Sequence, residues 1–228
     1  RILAPEDFLE VMDRPELMIV DVGATERYLR GHVPNALNVT PAELVSGEQP
    51  AVGRLPSKDR LEALFARLGW TGEQHVVAYD DEGGGWAGRF LWTLDVIGHD
   101  RWSLLDGGLH AWQAIEGPLT GEVPTPAPTD VRLEIHTAPI AEAEDALAAS
   151  EDPNAVIWDA RSREEYRGEK ATAGRNGHIP NAVNLDWLEL MDRDRHLRLR
   201  EGIGALLAEH AIVADKRVIT HCQSHHRS

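Results

Sequence analysis

Cysteine is almost absent from this chain: Cys222 is the only one in 228 residues. A single thiol excludes an internal disulfide framework and suits a reducing compartment, so a cytoplasmic location is expected. No apolar run reaches the roughly 18 residues that a membrane-spanning helix needs, and no membrane partner is expected. Positive charge is scarce as well. Lys and Arg number 23 against 38 Asp and Glu, a formal net charge of −15 at pH 7. Nucleic acid would therefore have to bind against the overall field. An initiating methionine is also missing, since the sequence opens at Arg1, which leaves room for a removed targeting segment. What is present, 42% hydrophobic residues, is enough for one or two buried cores.

The chain repeats itself. "GHVPNALNV" at 31–39 returns as "GHIPNAVNL" at 177–185, with six of nine letters identical and every change apolar for apolar. The stretches before it align too: "MIVDVGATERYLRGH" (18–32) parallels "VIWDARSREEYRGEK" (156–170), matching Asp21 to Asp159, and an insertion around 169–176 delays the second Gly-His. Farther on, "HVVAYDDEGGGWAGR" (75–89) parallels "RVITHCQSHHR" (217–227), which sets Asp80 against Cys222. So long a period is wrong for a solenoid unit and indicates two related globular domains.

Between the copies lies "GPLTGEVPTPAPTD" (117–130), whose Pro118, Pro124, Pro126 and Pro128 favour an extended connector. The expected domains are thus 1–116 and 131–228, joined by that linker. In the first, "LMIVDV" (17–22), "HVVAY" (75–79) and "RWSLL" (101–105) read as buried strands. Between them, Ser57, the Leu61/Leu64/Phe65/Leu68 stripe and Gly69 mark a capped amphipathic helix, and another is expected over 86–97. The second half offers strands at 155–160 and 216–221 and a helix at 200–211. Alternating strands and helices imply an α/β fold, each domain a largely parallel sheet flanked by helices. Seven residues after its last strand the second copy stops, about one helix, one strand and a final helix short of the first, so this domain reads as incomplete.

The halves differ chemically in one loop. In "THCQSHHRS" (220–228), Cys222 follows a strand directly, which puts it at the carboxyl end of the sheet, where open α/β folds hold ligands. A loop curling from there into a helix would aim backbone N–H groups inward as an anion cradle. Residues 215–228 also gather Lys216, Arg217, Arg227 and three histidines against Asp215 alone. Such surroundings favour a nucleophilic thiolate. The alternatives are a cysteine serving as a small buried hydrophobe, or a zinc site of His221, Cys222, His225 and His226. The second lacks a further ligand pair at ordinary spacing.

The tandem Asp-ended strands, the twice-used "GH(I/V)PNA" and the Cys222-to-Arg227 loop together resemble the rhodanese family of two-domain sulfurtransferases, over essentially the whole chain. "HCQSHHRS" is similar to the loop of its bacterial thiosulfate sulfurtransferases. The resemblance implies a silent N-terminal domain, consistent with Asp80 in place of cysteine, and a ping-pong transfer. In that reaction Cys222 takes sulfur from thiosulfate as a persulfide and hands it to cyanide or another thiophile such as a thiol. It implies further that the amides of Gln223, Ser224, His225, His226 and Arg227 hold the persulfide, that Arg227 braces the loop from within, and that Arg161 faces the site and binds the anionic donor. Arg161 could instead pair with Glu164 or Glu165.

No cofactor and no metal are expected, and the protein is expected to act as a monomer. Related family members that use 3-mercaptopyruvate carry a small Gly-rich run after the cysteine, unlike this loop. A phosphatase or arsenate reductase of related fold is the rival enzyme class, but its loops have five intervening residues, whereas Cys222 and Arg227 have four. A non-enzymatic sulfur carrier or interaction module is the third class.

Overall fold

The computed structural model describes residues 1–170 and 174–228, so part of the 169–176 insertion, residues 171–173, lies outside the described residues. It divides into two compact units: Arg1–Pro139 with Arg193–Arg198, and Ile140–Asp192 with Leu199–Ser228. The division falls later than the linker expected at 117–130, for a physical reason. Val131 and Leu133 are buried in the first unit's core, the Thr129 hydroxyl donates to the Trp70 carbonyl (2.7 Å), and the His136 amide donates to the Val96 carbonyl (2.8 Å).

The first unit runs β1 (Ile2–Leu3), α1 (Pro5–Val11), β2 (Leu17–Val22), α2 (Thr25–Tyr28), β3 (Leu37–Val39), α3 (Lys58–Arg67), β4 (His75–Tyr79), α4 (Gly85–Val96), β5 (Trp102–Leu105) and α5 (Gly108–Ala114). Its five strands are ordered β1-β5-β4-β2-β3 and every pairing is parallel. Period-two alternation sends successive side chains to opposite faces. Met18, Val20, Val76 and Ala78 meet Leu61, Phe65, Phe90 and Leu94 of α3 and α4, while Ile19, Val77 and Tyr79 meet Phe8, Leu109 and Trp112 of α1 and α5. Both faces being covered, β2 and β4 read as continuous apolar runs. Helix α3 is bounded as its sequence indicates: the Ser57 hydroxyl accepts the Arg60 amide, and Gly69 takes the left-handed backbone (φ +68°) that ends it.

The second unit runs α6 (Ala143–Glu151), β6 (Ala155–Asp159), α7 (Arg163–Arg167), β7 (Val183–Asn184), the short β8 (Met191–Asp192) and β9 (Arg198–Leu199, whose first residue belongs to the first unit), α8 (Ile203–Glu209) and β10 (Arg217–His221). Its main sheet is β10-β6-β7, again parallel, repeating β4-β2-β3 of the first unit. Helix α8 is shorter than the expected 200–211, because Gly202 holds a left-handed φ of +74° at its start. Strand β10 is the edge of the described sheet. Its Val218 is 37% exposed, whereas Val76 and Val77 of the corresponding β4 are fully buried.

The duplicated nonapeptide has the same local job in both units. His32 stacks on Tyr28 with ring centroids 3.6 Å apart, and His178 on Tyr166 at 3.7 Å. Asn35 and Asn181 take left-handed turns (φ 64° and 61°), which asparagine tolerates better than most residues. The Asn38 amide then donates to the carbonyls of Asp21 and Gly23, and that of Asn184 to those of Asp159 and Arg161. The motif thus pins the turn after β2 and after β6, the strands that carry the buried Asp21 and Asp159.

Candidate active site

Cys222 follows β10 at the carboxyl end of the second sheet and is 8% exposed. Residues 223–226 form bends, and His225 takes a left-handed φ of +57°, as its counterpart Gly83 (φ +98°) does just before α4.

Arg227 closes the loop against a partner outside it. Its Nη1 and Nη2 donate to Glu165 Oε2 and Oε1 at 2.8 and 3.1 Å. Glu165 sits at the N-terminus of α7 in a reciprocal cap: its amide donates to the Ser162 hydroxyl and its carboxylate accepts the Ser162 amide. The Arg227 hydrogen bonds hold the Glu165 carboxyl down at about 2. Arg227 in turn is held more firmly protonated, chiefly by Glu165 and also by its interaction with Cys222. To the contact expected within the loop, with Cys222, is thus added an anchor from α7, and the guanidinium connects that carboxylate to the thiol.

Arg161 pairs with neither Glu164 nor Glu165. Its Nε and Nη2 donate to Asp159 at 2.9 and 2.6 Å, and Nη2 also reaches the Gly177 carbonyl at 2.9 Å. Asp159 is fully buried at the end of β6, so its charge requires that fork. The first unit solves the same problem differently. Asp21 is bound by both terminal nitrogens of Arg27, four residues farther along than Arg161's place in the repeat. A Cβ on Gly23, the counterpart of Arg161, would collide with the Arg27 guanidinium. Moving the arginine to position 161 frees position 165, the counterpart of Arg27, for the glutamate that holds Arg227.

The remaining loop residues are mixed. Ser224 Oγ lies 3.1 Å from His226 Nδ1, and the Trp187 ring meets His226 edge-on at 6.2 Å. Burial, then the neighbouring Arg227 charge, lowers the His226 pKa. Gln223 and His225 are exposed. Among the described residues no group of three or more His, Cys, Asp or Glu could hold a metal ion.

In the first unit, Asp80 occupies the place of Cys222. Its Oδ1 accepts the amides of Glu82, Gly83 and Gly84 at 3.1, 3.0 and 2.8 Å, and its Oδ2 that of Ala87 at 2.9 Å. A cradle of backbone donors forms in that loop, filled by the protein's own carboxylate.

Sequence reasoning reads Glu165 as a partner for Arg161, Asp159 as a repeat marker and His221 as a candidate ligand, and so misses the contacts they make. The usable signal is the charge exchange between "GATER" (23–27) and "RSREE" (161–165).

The rhodanese-like domain family profile matches residues 4–115 and 142–228. The chain belongs to the rhodanese family. It is 47% identical to a thiosulfate sulfurtransferase of Azotobacter vinelandii and 45% identical to one of Pseudomonas aeruginosa, each over 100% of this chain and 84% of the relative. Among solved structures, the rhodanese fold of the 3-mercaptopyruvate sulfotransferase SseA from Escherichia coli superposes with a TM-score of 0.85 at 26% identity, covering 98% of this chain and 88% of that one.

Proposed function

We infer that this rhodanese is a sulfurtransferase that moves sulfane sulfur from thiosulfate to cyanide or another thiophile through a persulfide on Cys222. The Cys222 thiolate attacks the outer sulfur of thiosulfate, the sulfur–sulfur bond of the donor breaks, and sulfite leaves with the bonding pair. Cyanide then attacks the outer sulfur of the persulfide, thiocyanate forms, and the thiolate returns. No resident cofactor is needed, since the cysteine itself carries the sulfur. The amides of 223–227 hold the persulfide anion in the manner in which the first unit's loop holds Asp80. Arg227, fixed by Glu165, supplies positive charge beside Cys222. Arg161 faces the donor only through Nη1, its other donors being committed to Asp159 and Gly177.

The observation that carries this reading is the sole thiol standing in a loop clamped by Arg227 and Glu165, in a chain nearly half identical to named thiosulfate sulfurtransferases. A reducing, cytoplasmic setting and action as a single chain complete the proposal, on the ground that a lone reactive thiol stays reduced there. Release of sulfite and thiocyanate from thiosulfate plus cyanide by the intact protein tests it. Sulfur release from 3-mercaptopyruvate alone would redirect the donor assignment.

A further inference from the structure

His221 ends β10 in register with Asp159 of β6. Its Nε2 lies 3.4 Å from Asp159 Oδ2, yet that nitrogen is sealed from solvent and makes no hydrogen bond. Buried polar atoms without partners are rare in native proteins, because each forfeits its hydration, and one beside a reactive group calls for a reason. The first unit lacks this defect. There Tyr79 takes the place of His221, in register with Asp21, and its hydroxyl bonds Asp21 and accepts the Val33 amide at 3.0 Å. The same geometric slot is thus satisfied in the unit with Asp80 and left open in the unit with Cys222.

The imidazole also touches the next residue in the chain, forming a hydrogen bond with the Cys222 backbone that favours the protonated ring. The charged and titratable groups facing it are Asp159 on β6, which favours protonation, and Arg161 after that strand and His225 in the loop, which oppose it; burial opposes it most. A neutral ring that spends its single N–H on the Cys222 backbone turns the Nε2 lone pair toward a carboxylate. A proton on Nε2 converts that repulsion into a charge-assisted hydrogen bond.

Building on the sulfurtransferase reading, we propose that His221 is a positioning residue for Cys222. Its imidazole ties the first peptide of the reactive loop to the buried Asp159, and the tie tightens when the ring takes up a proton. Asp159 Oδ2 is already shared with Arg161 Nη2, so the proton on His221 also adjusts how firmly Asp159 holds that arginine.

The test compares the intact wild-type protein with His221→Gln, which keeps a donor but cannot titrate, and with His221→Ala. Folding is checked by circular dichroism and melting. Sulfur uptake by Cys222 from thiosulfate is followed by intact mass, and kcat/KM for thiosulfate is measured from pH 8 to 5. At pH 8 the Gln variant should approach wild type while Ala falls below both. As pH drops below the usual histidine range the ratio of wild type to Gln should rise about tenfold or more, the scale of one charge-assisted hydrogen bond. A constant ratio across that range overturns the proposal, whether or not the Ala variant folds. Wild type that takes up no sulfur from thiosulfate defeats the sulfurtransferase reading itself, a separable outcome.

Discussion

Arg227 and Glu165 meet fork to fork, at 2.8 and 3.1 Å, with the carboxylate 3% and the guanidinium 17% exposed on their side chains. Two parallel N–H···O bonds fix both distance and plane, and no lysine could reproduce them. The arginine that closes the Cys222 loop is therefore oriented by a helix cap that lies 62 residues away in sequence.

Glu165→Gln removes the charge that orients Arg227, so kcat/KM for thiosulfate should fall by about tenfold or more, the cost of breaking a charge-assisted pair. The pair also contributes stability of known sign. The folded carboxyl is depressed to about 2 from an unfolded value near ~4.3. Its contribution is thus complete above that unfolded value and is lost as pH falls from there toward the folded one. The difference in Tm between wild type and Glu165→Gln should accordingly shrink below about pH 4. A difference that stays constant through that range would show that the charge is irrelevant.

Cys222→Ser should gain no sulfur from thiosulfate, whereas wild type gains the mass of one sulfur and loses it to cyanide. Equal mass gain in the variant would place the carrier elsewhere.

Asp80→Asn replaces one acceptor oxygen by an amide facing the Ala87 N–H. The first unit should lose about 1–3 kcal/mol of stability, the usual cost of a buried unsatisfied donor. Turnover should stay within a few-fold of wild type. Loss comparable to that of Cys222→Ser would reveal chemistry at Asp80 itself.

The donor should be thiosulfate rather than 3-mercaptopyruvate, since the loop carries the bulky, hydrogen-bonding run Gln223, Ser224, His225 and His226, which suits a compact dianion better than a keto acid. Kinetics on both donors decide this, and a clear advantage in kcat/KM for the keto acid would reverse it. A histidine contribution to donor affinity ordinarily falls near pH ~6.5, and at His226 it moves lower. Burial and Arg227 depress the His226 pKa, so its added charge appears only below the usual range. Donor KM measured through that region should fall as pH drops, and a KM that responds only above about pH 7 would exclude His226.

Much was legible in the letters because it is local. Strands β2, β4, β6 and β10, the capped α3 and the twin His-Pro-Asn turns follow from apolar runs, a serine cap and left-handed asparagines, all properties of neighbouring residues. The repeat itself set Cys222 against Asp80 and so located the reactive loop. The tertiary structure decided the partners. Arg161 turned to Asp159, Glu165 to Arg227, and His221 came to lie with its Nε2 unsatisfied 3.4 Å from Asp159. Any of several nearby carboxylates satisfies an arginine on paper. In the folded chain the choice falls to the carboxylate whose burial leaves it no water, and only the packing of β6, α7 and β10 determines which one that is.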